Sequence, residues 1–159
     1  MKKIFTILDK LEIKYKLHKH PAIFNLEQAE KYYKDINGGQ CKNLFIRNKN
    51  GKNHYLVILP NQKNLDLKKL RIILEETRLG FASCERLEKY LNLTPGSVSP
   101  FGLINDLNKE VVVIIDNELL DCRDLHFHPN INTASIELST IDFKKFLNWT
   151  ENKIIFVDL

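Results

Sequence analysis

The chain has 159 residues, 43% hydrophobic and 28% charged, with 24 Lys/Arg against 20 Asp/Glu for a net charge of +4. That length suits one domain with a real core, since folded chains of this size bury roughly 70% of the surface the unfolded chain exposes. The composition excludes a disordered chain, and no apolar run approaches the roughly 20 residues of a membrane span, so no membrane partner is expected.

The charge is unevenly spread. Residues 1–75 carry 16 Lys/Arg and 7 Asp/Glu (+9), and residues 76–159 carry 8 and 13 (−5). A basic half is compatible with a phosphate backbone as partner. The start is basic, but Asp9 and Lys10 interrupt the apolar stretch before it could serve as a secretory segment, so a cytoplasmic location is expected. Cys41, Cys84 and Cys122 are odd in number, widely spaced and in no C-x-x-C arrangement, against both a disulfide framework and a zinc ribbon.

Ile4, Ile7, Leu8 and Leu11 recur at the spacing of an amphipathic helix. Residues 12–20 alternate Ile13, Tyr15 and Leu17 with polar positions, which predicts a half-buried strand ended by Pro21. Asn25 can cap a helix through Asp35 with Leu26, Ala29, Tyr32 and Tyr33 inward, stopped by Gly38-Gly39. Residues 42–47 and 54–59 read as two strands joined by a turn at Asn50-Gly51. Asp66 or Asn64 can cap the helix of Leu67, Leu70, Ile73 and Leu74. Phe81-Ala82 suggests a short strand, and Ser83 caps a helix ending near Leu91.

Residues 94–103, T-P-G-S-V-S-P-F-G-L, hold two of the six glycines and two of the five prolines. Proline fixes φ and glycine admits φ > 0, so this should be a stiff loop presenting the amides of Ser97, Val98 and Ser99. Residues 111–116, apolar up to Ile115, read as a central strand covered on both faces. A helical turn over 118–122 and strands over 124–127 and 133–138 follow, the strands flanking a His128-Pro129-Asn130 bend. Ser139 or Thr140 can cap a helix carrying Ile141, Phe143, Phe146, Leu147 and Trp149, and residues 153–159 close the chain as a strand. With no repeat or linker, residues 1–159 are expected to form a single α/β domain around a mixed, mostly antiparallel sheet flanked by helices.

No nucleophile elbow, phosphate-binding loop or dinucleotide fingerprint is present, and Cys41 carries no sign of activation. His126 and His128 share a strand face, but no Cys or carboxylate is spaced to complete a metal site, so no metal and no cofactor is expected.

Four motifs change this reading when taken in order: His20-Pro21-Ala22, Cys41-Lys42-Asn43-Leu44-Phe45, Gly96-Ser97-Val98-Ser99-Pro100-Phe101-Gly102 and Phe127-His128-Pro129-Asn130. So arranged, they closely resemble the prolyl-tRNA editing deacylases of the YbaK/ProX superfamily, most of all the alanyl-tRNA(Pro) deacylase branch. The resemblance implies the editing-domain α/β fold and a metal-independent trans-editing hydrolase that cleaves the ester between a wrong amino acid and tRNA(Pro). It implies alanyl-tRNA(Pro) as substrate, with a cysteinyl-tRNA(Pro) deacylase or a non-catalytic tRNA- or synthetase-binding module as alternatives. Its partners would be the tRNA(Pro) acceptor end and, transiently, prolyl-tRNA synthetase. The family's lysine maps onto Lys42 and its G-x-x-x-P loop onto Gly96, Ser97, Val98, Ser99 and Pro100, the implied catalytic set. His128, with Asn130 beyond it, maps to the substrate pocket, where Ile23, Asn43, Phe101 and Gly102 are the accompanying candidates.

Overall fold

Helix α1 (Lys2–Lys10) sends Ile4 and Leu8 into the core. It opens a computed structural model that describes residues 2–33 and 39–159. There follow β1 (Tyr15–Lys19), α2 (Leu26–Tyr33), β2 (Gly39–Asn48), β3 (His54–Pro60), α3 (Leu67–Ile73), β4 (Leu79–Phe81) and α4 (Cys84–Leu91). A 3-10 helix (Pro100–Asn105), β5 (Val111–Asp116) and a second 3-10 turn (Asn117–Asp121) lead to β6 (Asp124–Phe127), β7 (Ala134–Ser139), α5 (Thr140–Thr150) and β8 (Ile154–Val157). The helix starts are set by side-chain caps: Asp66 accepts from the Lys68 and Lys69 amides, Ser83 from Arg86 and Ser139 from Asp142. Asn25 Oδ1 likewise accepts from the Gln28 amide at the start of α2. The expected ends of that helix at Asp35 and Gly38 lie outside the described residues.

The strands form one mixed sheet in the order β1-β7-β6-β2-β3-β5-β8, with β4 added to β2. Four neighbouring pairs are antiparallel and three, β2–β6, β3–β5 and β5–β8, are parallel. The β2–β3 hairpin turns through Gly51 at φ +70°, a left-handed value that suits glycine. Strands β3 and β5 are buried on both faces. Leu56, Ile58, Val113 and Ile115 pack toward α1, α4 and α5, while Val57, Leu59 and Ile114 pack toward Leu70 of α3. An unbroken apolar run therefore suits β5, which has no solvent face.

Two expectations are revised. Leu17 is 38% exposed, because β1 is an edge strand paired only with β7, and its apolar contact runs instead through Tyr15, stacked on Phe5 at 5.2 Å. Tyr32, expected to face inward, is 37% exposed, its ring 6.0 Å from that of His20.

One buried polar residue makes the fold acid-sensitive. His54 lies between Phe45 and Tyr90, with ring centroids at 5.6 and 4.0 Å, and Arg86 Nη1 lies 3.0 Å from His54 Nε2. An arginine can only donate, so Nε2 is the bare nitrogen of a neutral ring. Burial first, then the charges of Arg86, Lys89 and Arg47, push its pKa down to about 4. The unfolded chain protonates this ring near the ordinary value of about 6.5 and the folded chain does not. Stability is thus full above pH ~6.5 and falls by about 3 kcal/mol as pH drops toward 4. Denaturant melts across that range should show the loss, and His54→Gln should flatten it.

Candidate active site

The cavity originates where two parallel strands part. Strand β2 pairs with β6 only at Gly39↔Leu125 and Gln40↔His126, then turns to pair with β3 from Cys41 onward. Beyond the last shared pair the two chains diverge. Gln40, Cys41, Lys42 and Asn43 line one side of the gap, and His126, Phe127 and His128 line the other. Gly96 and Val98 close a third side, Ile23, Phe24 and Asn25 a fourth, and Asn61 and Ser135 complete a cavity of about 340 Å³. A crevice where neighbouring strands separate is a common place for a ligand in an α/β sheet, because side chains from several elements converge there.

Lys42 reaches this wall from a strand held on its far side by Leu59 of β3. It makes no ion pair with any described residue. Two further wall atoms, Gln40 Nε2 and Asn43 Oδ1, are buried without a hydrogen-bond partner among the described residues. Buried polar atoms are nearly always paired, so such a wall suits a polar ligand that supplies the missing partners. Burial, with Cys122 adding to it, drives the Cys41 thiol well above its ordinary range, so it is held as a thiol and not as a nucleophilic thiolate.

The Gly/Pro loop is more structured than its composition suggests. Gly96 sits at φ +87°, and a Cβ there would meet no atom within 4 Å, so it is the backbone angle and not crowding that favours glycine. The Ser97 amide donates to Thr94 O at 3.1 Å and closes a turn. Ser99 Oγ accepts from the Phe101 amide and caps the 3-10 helix that begins at Pro100. Among the described residues no hydrogen bond occupies the amides of Val98 or Ser99.

Phe101 and Gly102 lie away from the cavity. Phe101 is 0% exposed, with its ring against Phe127 and Phe146 at 6.2 and 5.0 Å between centroids. Gly102 lets this helix press onto the end of α4, where a Cβ would come within 2.6 Å of Leu93 Cδ1. Ser97, Ser99 and Pro100 are buried beneath the loop and are not on the cavity wall either. The structure therefore gathers Ile23, Lys42, Asn43, Gly96, Val98 and His128 around one space and puts the rest of the loop under it. Asn130 follows in the bend at φ +62°, off the wall, its Oδ1 buried without a partner among the described residues.

The histidines fix their own tautomers. His128 Nδ1 lies 3.1 Å from the Ala134 carbonyl, which can only accept, so Nδ1 carries the proton and Nε2 is the acceptor of the neutral ring. Burial lowers its pKa, the Ala134 bond opposes this, and nearby His20 adds to the lowering. The same logic applies to His20: Nδ1 donates to Pro21 O at 2.9 Å, so in the neutral ring Nε2 accepts from Ser135 Oγ at 3.1 Å.

Gln40, Asn61, Phe24, Asn25, His126 and Ser135 were not singled out as site residues by the sequence, although all line the cavity. Only the alternation along β6 and β7 could have pointed to His126 and Ser135, since His126 lies between Leu125 and Phe127, and Ser135, Glu137 and Ser139 alternate with Ala134, Ile136 and Leu138. Phe24 is conspicuous at the rim, an aromatic side chain 76% exposed.

Three comparisons place this arrangement. Residues 20–146 match the profile of the family described as the aminoacyl-tRNA editing domain. The prolyl-tRNA editing protein ProX of Acetoanaerobium sticklandii is 40% identical over 156 residues, spanning 98% of this chain and 95% of that protein. The prolyl-tRNA synthetase associated domain-containing protein 1 of Mus musculus is 27% identical over 155 residues, spanning 95% and 91%. The fold superposes on the crystal structure of a candidate trans-editing enzyme for prolyl-tRNA synthetase with a TM-score of 0.72 at 17% identity, over 99% of this chain and 96% of that one. The match runs from the His20 motif through the Lys42 strand, the Gly96 loop and the His128 bend, and the chain belongs to the aminoacyl-tRNA editing domain family, the YbaK/ProX superfamily.

Proposed function

We propose that the protein is a trans-editing deacylase that hydrolyses mischarged tRNA(Pro), with alanyl-tRNA(Pro) as the preferred substrate and no metal in the hydrolytic step. The observation that carries this is the convergence of Lys42, the Gly96–Val98 wall and a neutral His128 on one cavity. The names of the two relatives supply the tRNA and the synthetase as partners.

An aminoacyl ester is already activated, so hydrolysis needs a placed water, stabilisation of the tetrahedral oxyanion and a route for one proton. The Val98 amide, on the cavity wall, is the proposed oxyanion donor, worth about 3–4 kcal/mol in the transition state. Lys42 holds the 3′-terminal phosphate and sets the ester carbonyl against the loop. The water gives its proton to the free hydroxyl of the terminal ribose as that hydroxyl passes its own to the departing ester oxygen. The water oxygen forms the new C–O bond while the bond to the ribose breaks. His128 Nε2 accepts from the substrate α-ammonium group, and Asn43 Oδ1 is a second acceptor on the opposite wall. Ile23 and Phe127 bound the side-chain end of the cavity. Excluding the proline ring there by size is easier than telling apart residues that differ by one methylene.

The sign of the pH dependence follows from His128. Its neutral form persists below the ordinary histidine pKa of about 6.5, so kcat/KM corrected for spontaneous hydrolysis should stay level from pH 8 to that value. It should fall only at lower pH, and His128→Asn should lower the plateau and remove the acid limb. The reading as a whole is tested by initial rates on alanyl-, cysteinyl- and prolyl-tRNA(Pro). Fast release of alanine with proline retained is the expected result. Faster release of cysteine would move the chain to the other specificity, and salt-sensitive tRNA binding without cleavage of any ester would make it a binding module.

A further inference from the structure

We propose that His18, His126 and Glu137 form a binding site for one divalent transition cation of the zinc class, which shares His126 with the cavity wall but takes no part in the proposed ester hydrolysis. The three residues come from three adjacent strands, β1, β6 and β7. Glu137 stands directly opposite His126 across the β6–β7 pair, and His18 is opposite Ser135, two residues from Glu137, so all three share one sheet face. His18 Nε2 and Glu137 Oε2 are 2.7 Å apart, and the ligand atoms of all three residues lie within 4.8 Å of one another. Bonds of about 2.0–2.1 Å to a tetrahedral ion place its ligands ~3.4 Å apart, so side-chain rotation alone brings the donors into range. Strands supply the rigidity that a loop site lacks.

The donor chemistry narrows the choice of ion. Two imidazoles and one carboxylate suit zinc and its neighbours, whereas magnesium and calcium take oxygen ligands. Three protein ligands leave a fourth position for water or a substrate group. Burial is graded: His126 is 4% exposed as a residue, while the side chains of Glu137 and His18 are 14% and 32% exposed, so a cation has an entry path past His18. Lys16 faces Glu137 across the β1–β7 register but makes no ion pair with it, and the carboxylate is held by His18 instead. The grouping is not visible in sequence spacing, because Glu137 stands 119 positions from His18.

The experiment is a titration of the full chain with Co²⁺ followed in the visible region. The expected result is one Co²⁺ per chain with the intense d–d absorption of a four- or five-coordinate ion, bleached by one equivalent of Zn²⁺. His18→Asn and Glu137→Gln, each checked for an unchanged far-UV spectrum, should weaken binding at least tenfold. His18 is partly exposed, so its variant retains the fold even if the Glu137 variant does not. Absence of the absorption, an unchanged affinity in the His18 variant, or a thiolate-to-cobalt band assigning the ion to cysteine would overturn the proposal.

Discussion

Alanine at Lys42 is expected to lower kcat for alanyl-tRNA(Pro) about a hundredfold, the cost of a reacting group that is misplaced by an ångström or so. The effect belongs in kcat because the ammonium group is assigned to hold the ester against the loop. Lys42 is on a strand, next to two buried polar atoms that lack partners, and without an ion pair among the described residues. Its removal should therefore leave the melting temperature unchanged. Arginine at this position would keep the charge but present a planar fork, so kcat should recover only in small part. A Lys42→Ala protein that retains full kcat would take this residue out of the mechanism.

The second large effect is on stability. Phe101→Ala should destabilise the fold by about 3–5 kcal/mol, the usual cost of emptying a buried aromatic site, and lower Tm by roughly 10 °C. Phe101 is fully buried and touches both Phe127, a cavity wall residue, and Phe146 of α5. The loop that carries Gly96 and Val98 is thus anchored to the core one turn further on. At a temperature where the variant remains folded, KM should stay close to that of the unchanged protein. A raised KM with unaltered Tm would instead make Phe101 a substrate contact.

These two residues illustrate what the sequence could convey. Local chemistry was readable: Asn50-Gly51 announced the β2–β3 hairpin, and Asp66, Ser83 and Ser139 announced their helices, because a cap or turn depends on atoms a few positions away. The burial of β5 on both faces followed from its apolar run. Non-local pairing was not readable. Nothing in residues 39–43 indicates that β2 pairs with β6 for two residues and then leaves it, yet that departure creates the cavity. Phe101 and Gly102 stand in the same motif as Gly96 and Val98, but the 3-10 helix turns them into the core while the two earlier residues face the cavity. The convergence of His18 with Glu137 and His126 depends on the order of three strands far apart in the chain.

The edge position of β1 has a related consequence. Lys16 and Lys19 are exposed on opposite faces of this strand, which runs in sequence toward the Ile23–Phe24 rim and so adds positive charge on the approach to it. Charge placed there suits an acceptor end whose phosphates approach from the rim, and binding should weaken with added salt.

The most direct measurement is a single-turnover assay of alanyl-tRNA(Pro) with the protein in excess, following release of free alanine against spontaneous hydrolysis in the same buffer. The account predicts release far faster than the spontaneous rate, lost with Lys42→Ala, while prolyl-tRNA(Pro) keeps its amino acid. An ester lifetime unchanged by saturating protein would contradict it.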